Sequence, residues 1–589
     1  MITLKGIIIS IRNEIVQYKI LTRHFFNRLF QNDVVDFEDQ MKERTIAIIA
    51  FLAIFSGLLT FGFLEKYSWI PDEGTSWIEK CALIIFFMLV MGFIAVLEWD
   101  VIIPDVRDYS NLTPLPLRTR TLLAAKFSSL SMFVGLFALG LNILSIPFFV
   151  LFLPQWKSQS FLYAVNLFFA HVLSMFLACF FAFFFNVILI GILMTFLGHK
   201  LFNRISTLIR SLLLVAHVLL LFLYMRVLFV GLSNIIPLEK LKANDFVTRH
   251  LYDLFPPFWF IDLYETLIGN TDLPFHGNYN FALIGLLVMI GVFYLTTGLS
   301  YRRYLKRLGF AQRKSTHFKR LRESFVSIFN WFFLRNPIQR AVFQFYGKTL
   351  KESMFHKMRL MAYIAIGIGI VAFQFAILDI MSEGVIGINK TTLSLPLILS
   401  FFFLLGLRGV VNMPVSLDAN WIFQLTEVQK RRHYFSGLRK GVFFLNLLPL
   451  FLIIFAFFLF LWGGTTAFYH CLYGLIISVL LMEVFFLSFI KIPFACSYLP
   501  GKEKLQLFWI VYLFLFLAYV NIMAWIEQEL LRAPSNFLAF YSVIFLIILG
   551  IRIYQLLFFY RHNKVKYEER LEPVLVDLGY KAPKHKRST

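Results

Sequence analysis

Few side chains of this sequence could do chemistry within an apolar environment, and the clearest is Glu483. It lies in the stretch LLMEVFFLSF. Because a charge in hydrocarbon is costly, such a carboxylate needs a partner or a function. Two interpretations are open: Glu483 pairs with Arg408 or a backbone amide, or it lines a substrate path. Of two further polar candidates, Asp379 lies near a helix end and can reach the interface, and His171 is typical of hydrogen bonding between helices.

Patterns that indicate catalysis or metal binding are missing from the sequence. No Ser-His-Asp, metal or paired-carboxylate arrangement stands out, and the four cysteines have neither disulfide-framework nor zinc-site spacing. Gly347-Lys348-Thr349 matches the end of a phosphate-binding loop, but Val342 occupies the position that requires the first glycine. We therefore expect a chain that is not an enzyme, with no catalytic residue, no metal and no cofactor of its own.

Two short segments rich in Pro, Asp and Arg repeat one pattern. Pro104, Asp108 and Leu115 recur at the same offsets as Pro414, Asp418 and Leu425. Each segment is either a solvated turn or a docking element, which would be a short capped helix presenting an apolar ridge to a cytoplasmic partner. The repeat also indicates an internal duplication.

The elements that position these residues are membrane-spanning helices. Apolar residues make up 59% of the 589 residues, against about 45–50% in a soluble protein. Many apolar blocks reach the roughly 18–20 residues that cross a bilayer as a helix. The N-terminal apolar run is too short for a signal sequence, so no cleaved signal is expected. The fold class is all-α, a polytopic membrane protein.

Twelve spans are predicted, with the third and fourth long enough to protrude from the bilayer or to be broken. They cover 45–64, 81–98, 121–153, 160–198, 207–233, 280–299, 358–382, 392–411, 441–462, 466–490, 505–524 and 537–558.

Basic residues set the expected orientation. Of the 56 Lys and Arg, 47 lie in segments on one side of this topology and 8 on the other. Because cytoplasmic loops carry the excess of Lys and Arg, both termini are predicted to be cytoplasmic. The excess of Lys and Arg in cytoplasmic loops thereby accounts for the net charge of +22, and nucleic acid is not an expected partner.

The spans group into two pseudo-repeated six-helix halves. The predicted regions are a cytoplasmic interfacial region (1–44), a first half (45–299), an interfacial linker (300–357), a second half (358–560) and a basic cytoplasmic tail (561–589). The external segment 234–279 contains FPPFWFIDLYETL, which predicts a short interfacial helix.

Four segments resemble the permeases of bacterial ABC-2 type transporters, and in particular long members with two fused halves. They are the residues from Trp99 to Lys126, LRGVVNMPVSLDANWIFQLTE (407–427), NPIQRAVFQFYGKTL (336–350) and KIPFACSYLPGK (491–502). The resemblance implies an exporter subunit in the bacterial inner (plasma) membrane, with the loop between the second and third spans of each half docking on a cytoplasmic ATPase. Two ATPase copies per chain are expected, and ATP and Mg belong to them.

Carried over to this sequence, the resemblance implies ten coupling residues, with the loops at 199–210 and 491–504 as secondary contacts. The ten are Pro104, Asp105, Arg107, Asp108, Leu115, Pro116, Pro414, Asp418, Trp421 and Leu425.

Two other classes of function stay open. An ion-coupled secondary transporter would place several acidic residues near the midplane, which only Glu483 approaches. A membrane-embedded lipid- or glycan-modifying enzyme would need a polar cluster at one interface, and the segment 234–279 has room for one.

Overall fold

The structure is a computed structural model of the chain. It describes residues 4–30, 38–65, 76–99, 115, 117–156, 161–197, 199–230, 253–270, 276–305, 330–377, 387–415, 425, 432–495 and 509–559.

The described residues form sixteen α-helices and no β-strand. In chain order they are α1 (Leu4–Phe30), α2 (Glu38–Glu65), α3 (Trp77–Leu97), α4 (Thr119–Trp156), α5 (Phe161–Phe196), α6 (His199–Val230), α7 (Pro256–Ile268), α8 (Tyr279–Leu305), α9 (Pro337–Glu352), α10 (Met354–Ile377), α11 (Lys390–Val411), α12 (Arg432–Val442), α13 (Leu448–Trp462), α14 (Gly464–Phe485), α15 (Trp509–Arg532) and α16 (Phe537–Tyr554).

Twelve of the described helical segments are long and apolar enough to cross a membrane. They match the twelve predicted spans one for one, so the all-α, polytopic fold class is confirmed. The prediction succeeds because a bilayer leaves every backbone amide to be bonded within its own helix, which makes a long apolar run sufficient evidence for a span. The short helix predicted in the external segment is also present, as α7.

The ninth and eleventh spans differ most from the predicted bounds. The ninth begins at Arg432, nine residues earlier than predicted, because α12 continues through a π-helical turn, Phe443–Leu447, into α13. The eleventh continues to Arg532 and includes the fully buried Glu527. In both cases the helix includes charged residues beyond the predicted boundary, because a helix can carry charge beyond the hydrocarbon or bury it against protein.

The two long helices are continuous. α4 has 38 residues and α5 has 36, which at about 1.5 Å per residue gives lengths of about 57 and 54 Å. A bilayer core is only about 30 Å thick. Both helices therefore extend past the hydrocarbon, and the alternative of a break is wrong.

The described residues divide into two compact units. The first lies within 1–324, 357–406 and 520–528, and the second within 325–356, 407–519 and 529–589. The predicted six-helix halves stay a prediction, because this division reports packing and not repeat symmetry.

The first unit is built around α5, which packs against α3, α4, α7 and α8. Its core is rich in phenylalanine, including Phe87, Phe133, Phe183, Phe184 and Phe293. In the second unit α9 packs on α12, α13 on α14, and α14 on α16.

Candidate functional site

Three of the ten predicted coupling residues are described by the structure. Pro414 is buried, whereas Leu115 and Leu425 have exposed fractions of 50% and 77%. Exposed leucines are what a docking ridge requires, although they are equally compatible with a turn. Seven coupling residues and one intramembrane candidate lie outside the described residues: Pro104, Asp105, Arg107, Asp108, Pro116, Asp418, Trp421 and Asp379.

Residues 411–415, where the second predicted coupling loop begins, are hydrogen-bonded to the segment after α14. The amide of Phe494 donates to the carbonyl oxygen of Val411 at 2.9 Å, and the amide of Val415 donates to the carbonyl oxygen of Phe494, also at 2.9 Å. Phe494 has φ of +59°, a left-handed conformation that is unfavourable for a residue with a side chain. The backbone therefore holds the loop at a fixed point.

The ring of Phe494 anchors this point to α9. It is 2% exposed and stacks on Tyr346 with ring centroids 5.9 Å apart. Phe345 and His356 also contact it, at centroid distances of 6.1 and 5.1 Å. Burial raises the pKa of Tyr346 well above its usual range. Its hydroxyl thus stays protonated and donates to Oδ1 of Asn446 at 2.6 Å.

His356 adds a second tie to the same loop. Its Nε2 lies 3.1 Å from the carbonyl oxygen of Met413, and its Nδ1 lies 2.6 Å from Oγ of Ser353 at the end of α9. The imidazole is buried at 1% exposure. It therefore joins the residue before Pro414 to the junction of α9 and α10.

Two glycines bring α12 into close contact with α9. A Cβ at Gly437 would lie 2.7 Å from the carbonyl oxygen of Gln339, and one at Gly441 would lie 2.7 Å from the ring of Tyr346. Neither distance is possible for real atoms. The spacing of α9 and α12 thus depends on the absence of side chains at these positions.

Three of the segments that carry the resemblance consequently meet in one place. Residues 411–415, 491–495 and α9 surround Phe494, with α12 packed on α9. The sequence identifies each segment by its resemblance, but it does not predict that the three segments contact one another. We call this group of residues the Phe494 junction.

Glu483 is paired, but not with the predicted arginine. Its Oε1 accepts from Nε and Nη2 of Arg552 at 3.0 and 2.8 Å, and its Oε2 lies 3.3 Å from Nη1 of Arg439. Arg408 instead donates to the carbonyl oxygen of Phe485 at 3.0 Å and to Oδ1 of Asn412 at 2.9 Å. The expected Glu483–Arg408 pair is thus wrong, because Arg408 is instead bonded to the carbonyl oxygen of Phe485, the last residue of α14.

A cavity of ≈ 600 Å³ adjoins this ion pair within the second unit. Arg439, Lys440 and Arg552 lie on its wall. In the sequence, these three residues serve only as part of the basic charge that predicts the orientation of the chain in the membrane. Their meeting at one cavity could not be predicted from the sequence, since Arg439 and Lys440 are neighbours on α12 whereas Arg552 lies more than a hundred residues later, near the end of α16.

A second buried ion pair lies in the first unit. Nζ of Lys80 is 2.6 Å from Oε1 of Glu265, and the two side chains are 1% and 3% exposed. Nδ2 of Asn270 donates to Oε2 of Glu265 at 3.0 Å. Both carboxylate oxygens are therefore satisfied, and the pair joins α7 to α3.

Asp262 is fixed in a similar way one turn earlier on α7. Its Oδ2 accepts from the amides of Gly277 and Tyr279, each at 2.9 Å, and its Oδ1 lies 3.3 Å from Nδ1 of His276. The side chain is fully buried. Asp262 thus closes the loop between α7 and α8.

His171 has the predicted role of joining helices. Its Nε2 lies 3.0 Å from Oγ of Ser145 on α4, and its Nδ1 lies 3.1 Å from the hydroxyl of Tyr264 on α7. Burial, and secondarily the charge of Glu265, raises the pKa of Tyr264 well above its usual range. Lys80 completes the cluster, with Nζ 5.0 Å from the centre of the Tyr264 ring.

The first unit also contains an apolar cavity of ≈ 920 Å³ between α3, α5, α6 and α7. Its polar lining includes Asn186 and His217. Such a cavity suits an apolar group, but no group on its wall identifies one. Among the described residues, no three His, Cys, Asp or Glu side chains are placed to hold a metal ion.

Comparisons of the chain with known protein families, with curated proteins and with solved structures found no match.

Proposed function

We propose that this chain is the membrane-spanning permease subunit of an ATP-binding-cassette exporter of the ABC-2 type. The observation that carries the proposal is the Phe494 junction. Three segments that resemble that family pack around one buried phenylalanine. They are separated from one another by long stretches of sequence. A chance resemblance gives no reason for such segments to converge.

The junction has the construction that coupling requires. Docking on a loop moves helices only if the loop is attached to them, and here hydrogen bonds at Val411 and Val415 and the ring of Phe494 make the attachment. Beyond Val415, which is 53% exposed, the loop offers Leu425 at 77%. A buried attachment and an exposed leucine are suited to receiving movement from a partner.

In this proposal two cytoplasmic ATPase subunits bind the chain and supply the energy. ATP and Mg are bound by those subunits, whose closure favours one arrangement of the permease helices over another. The substrate leaves the cytoplasm or the inner leaflet of the bacterial plasma membrane, and both termini face the cytoplasm.

The polar cluster of the first unit bears on the rival proposal of a membrane-embedded enzyme. Asp262 and Glu265 lie near an expected interface, as that proposal requires, but their carboxylate oxygens all have partners at hydrogen-bonding or ion-pair distance. A carboxylate acting as an acid or base needs access to a substrate. The arrangement is better suited to fixing α7 against α3.

The test is whether the chain, solubilised from its native membrane, retains a cytoplasmic ATPase, and whether it stimulates the turnover of that ATPase. Asp108→Lys and Asp418→Lys reverse the charge of the repeated aspartates, and Leu425→Asp replaces the exposed leucine by a charge. We expect all three variants to insert normally and to lose binding or stimulation. Asp253→Lys, which reverses a charge in the predicted external segment, is the matched control.

Two outcomes would refute the assignment. One is stimulation of the ATPase by all three loop variants at the level of the unaltered chain. The other is ATP hydrolysis by the purified chain alone that Lys348→Ala abolishes, since Lys348 belongs to the incomplete phosphate loop.

A further inference from the structure

The cavity beside Glu483 combines a cationic end with an apolar wall. Arg439, Lys440 and Arg552 provide the cations. Most of the remaining wall is apolar and comes from α14, α16 and the π-helical turn before α13, including Phe444, Leu475, Ile476, Val479, Phe545 and Ile548. Its volume of ≈ 600 Å³ lies within the roughly 300–1,000 Å³ that small-molecule sites occupy.

The charges on the wall do not balance. The cavity wall carries three cations, and the one carboxylate beside it, that of Glu483, is shared between Arg439 and Arg552. Lys440 is not bonded to a carboxylate, because its Nζ donates to the carbonyl oxygen of Phe333 at 2.8 Å and to Oε1 of Gln339 at 2.7 Å. These four side chains together carry two positive charges in excess, which favours an anionic ligand.

The geometry of Arg552 leaves it able to bind such a ligand. Nε and Nη2 are directed at Glu483, and the side chain is still 49% exposed. A guanidinium fixed along one edge presents its remaining N–H groups in a defined plane, an arrangement suited to phosphate oxygens. Glu483 therefore positions Arg552 as well as neutralising part of its charge.

The location of the cavity indicates where the anion comes from. Arg439 is in the first turns of the ninth span, Met482 is near the end of the tenth, and Arg552 is near the end of the twelfth. In the topology set by the basic residues these three helix ends are cytoplasmic. Phosphate groups of the inner leaflet lie at this depth, and their acyl chains extend towards the apolar wall.

The helices change geometry at the cavity. Phe443 and Phe444 belong to the π-helical turn before α13, and a second π-helical turn, Gln555–Phe559, begins three residues after Arg552. Such turns are rare and are frequently found at functional sites. Two of them beside one cavity are independent of the charge argument and indicate the same place.

We propose that this cavity binds the phosphate headgroup of an anionic phospholipid of the cytoplasmic leaflet. Lys440, Arg439 and Arg552 contact the phosphate, and one acyl chain lies along α14 and α16. Basic pockets between spanning helices on the cytoplasmic side are known to bind such headgroups. This proposal goes beyond the transport function and does not depend on an ATPase partner.

The experiment measures equilibrium binding of radiolabelled phosphatidylglycerol to the full chain, purified without any ATPase and delipidated in a non-ionic detergent. Competitors are unlabelled phosphatidylglycerol, phosphatidylcholine and soluble glycerol phosphate. We expect saturable binding for which phosphatidylglycerol competes at least tenfold better than phosphatidylcholine, with no competition from glycerol phosphate.

Variants locate the site. Lys440→Gln and Arg552→Gln are each expected to weaken binding at least tenfold, and Ile548→Trp to do so by filling the apolar wall. Arg532→Gln, which removes an exposed arginine paired with Glu529, is the matched control and should bind normally. Lys440→Gln leaves the Glu483 ion pairs intact, so it decides the question if Arg552→Gln does not fold.

Three results would overturn the proposal. Equal competition by glycerol phosphate would show a site for a free phosphate, and equal competition by phosphatidylcholine would show unspecific lipid contact. Unchanged binding by Lys440→Gln and Ile548→Trp would place any lipid elsewhere. Because no ATPase is present, each result leaves the proposed transport function standing.

Discussion

The ring of Phe494 stacks on the ring of Tyr346, with centroids 5.9 Å apart and planes inclined by 28°. This contact joins the segment after α14 to α9, and the backbone of Phe494 joins the same segment to residues 411–415. Residues 411–415 are thereby connected to α9 and, through its close packing, to α12.

Phe494→Ala is expected to destabilise the second unit, because it removes a buried ring. Comparable truncations of buried phenylalanine cost about 3–5 kcal/mol. Phe494→Gly loses the same ring but relieves the left-handed backbone, which costs a residue with a side chain about 1–2 kcal/mol. In thermal unfolding of the detergent-solubilised chain, the midpoint should therefore fall for both variants and fall further for alanine.

Phe332→Ala is the control for Phe494, since this phenylalanine is 59% exposed and should tolerate truncation. Equal midpoints for Phe494→Ala and Phe494→Gly would mean that the positive φ contributes nothing to the loop's conformation.

Gly437→Ala tests the close packing of α9 and α12. The added methyl group would meet backbone atoms of Gln339, at 2.7 Å from its carbonyl oxygen and 3.1 Å from its Cα. Backbone cannot rotate away as a flexible side chain can, so the helices must separate at a cost of about 1–3 kcal/mol.

Gly550→Ala is the matched control for Gly437, because it lies in a helix of the same unit and a Cβ there meets nothing within 4 Å. It should be neutral or stabilising, given that alanine is favoured over glycine in helices by up to about 1 kcal/mol. A lower unfolding midpoint for Gly550→Ala than for Gly437→Ala would contradict the packing argument.

Orientation in the membrane can be tested by cysteine labelling. Ile388→Cys is expected to react with an impermeant thiol reagent added outside intact cells, whereas Phe318→Cys and Leu575→Cys should react only after lysis. Cys81, Cys179 and Cys471 are buried and should contribute little background, and Cys496 is replaced by serine. Labelling of Phe318→Cys from outside would reverse the topology.

The fold was predictable from the sequence because its main determinant is local. Apolar length identified all twelve spans, including the long α4 and α5, without knowledge of any neighbour. Helix ends were less predictable. α12 extends the ninth span through Arg439 and Lys440, since its basic residues face a cavity and a hydrogen-bonded partner instead of ending the helix.

The contacts within each site were less predictable than the fold, because the residues that contact one another are distant in the chain. The apolar surroundings of Glu483 predict its burial, but its partner Arg552 is 69 residues away, and nothing in the sequence distinguishes Arg552 from the other basic residues at helix ends. Lys80 and Glu265 are separated by 185 residues, and no feature of the sequence predicts that they pair. Pairing of this kind depends on tertiary packing, which hydrophobic patterning does not encode.

The ion pair of Lys80 and Glu265 gives the sharpest prediction for the first unit. Removing one partner of a buried pair leaves an uncompensated charge and typically costs about 3–5 kcal/mol, whereas replacing both by apolar residues is often neutral. We therefore expect Lys80→Met and Glu265→Leu each to lower the unfolding midpoint strongly, and the double variant to recover most of the loss. Lys390→Met is the control, because Lys390 is exposed. If the double variant is as unstable as the sum of the two single variants, the residues act independently and the pair does not hold α7 against α3.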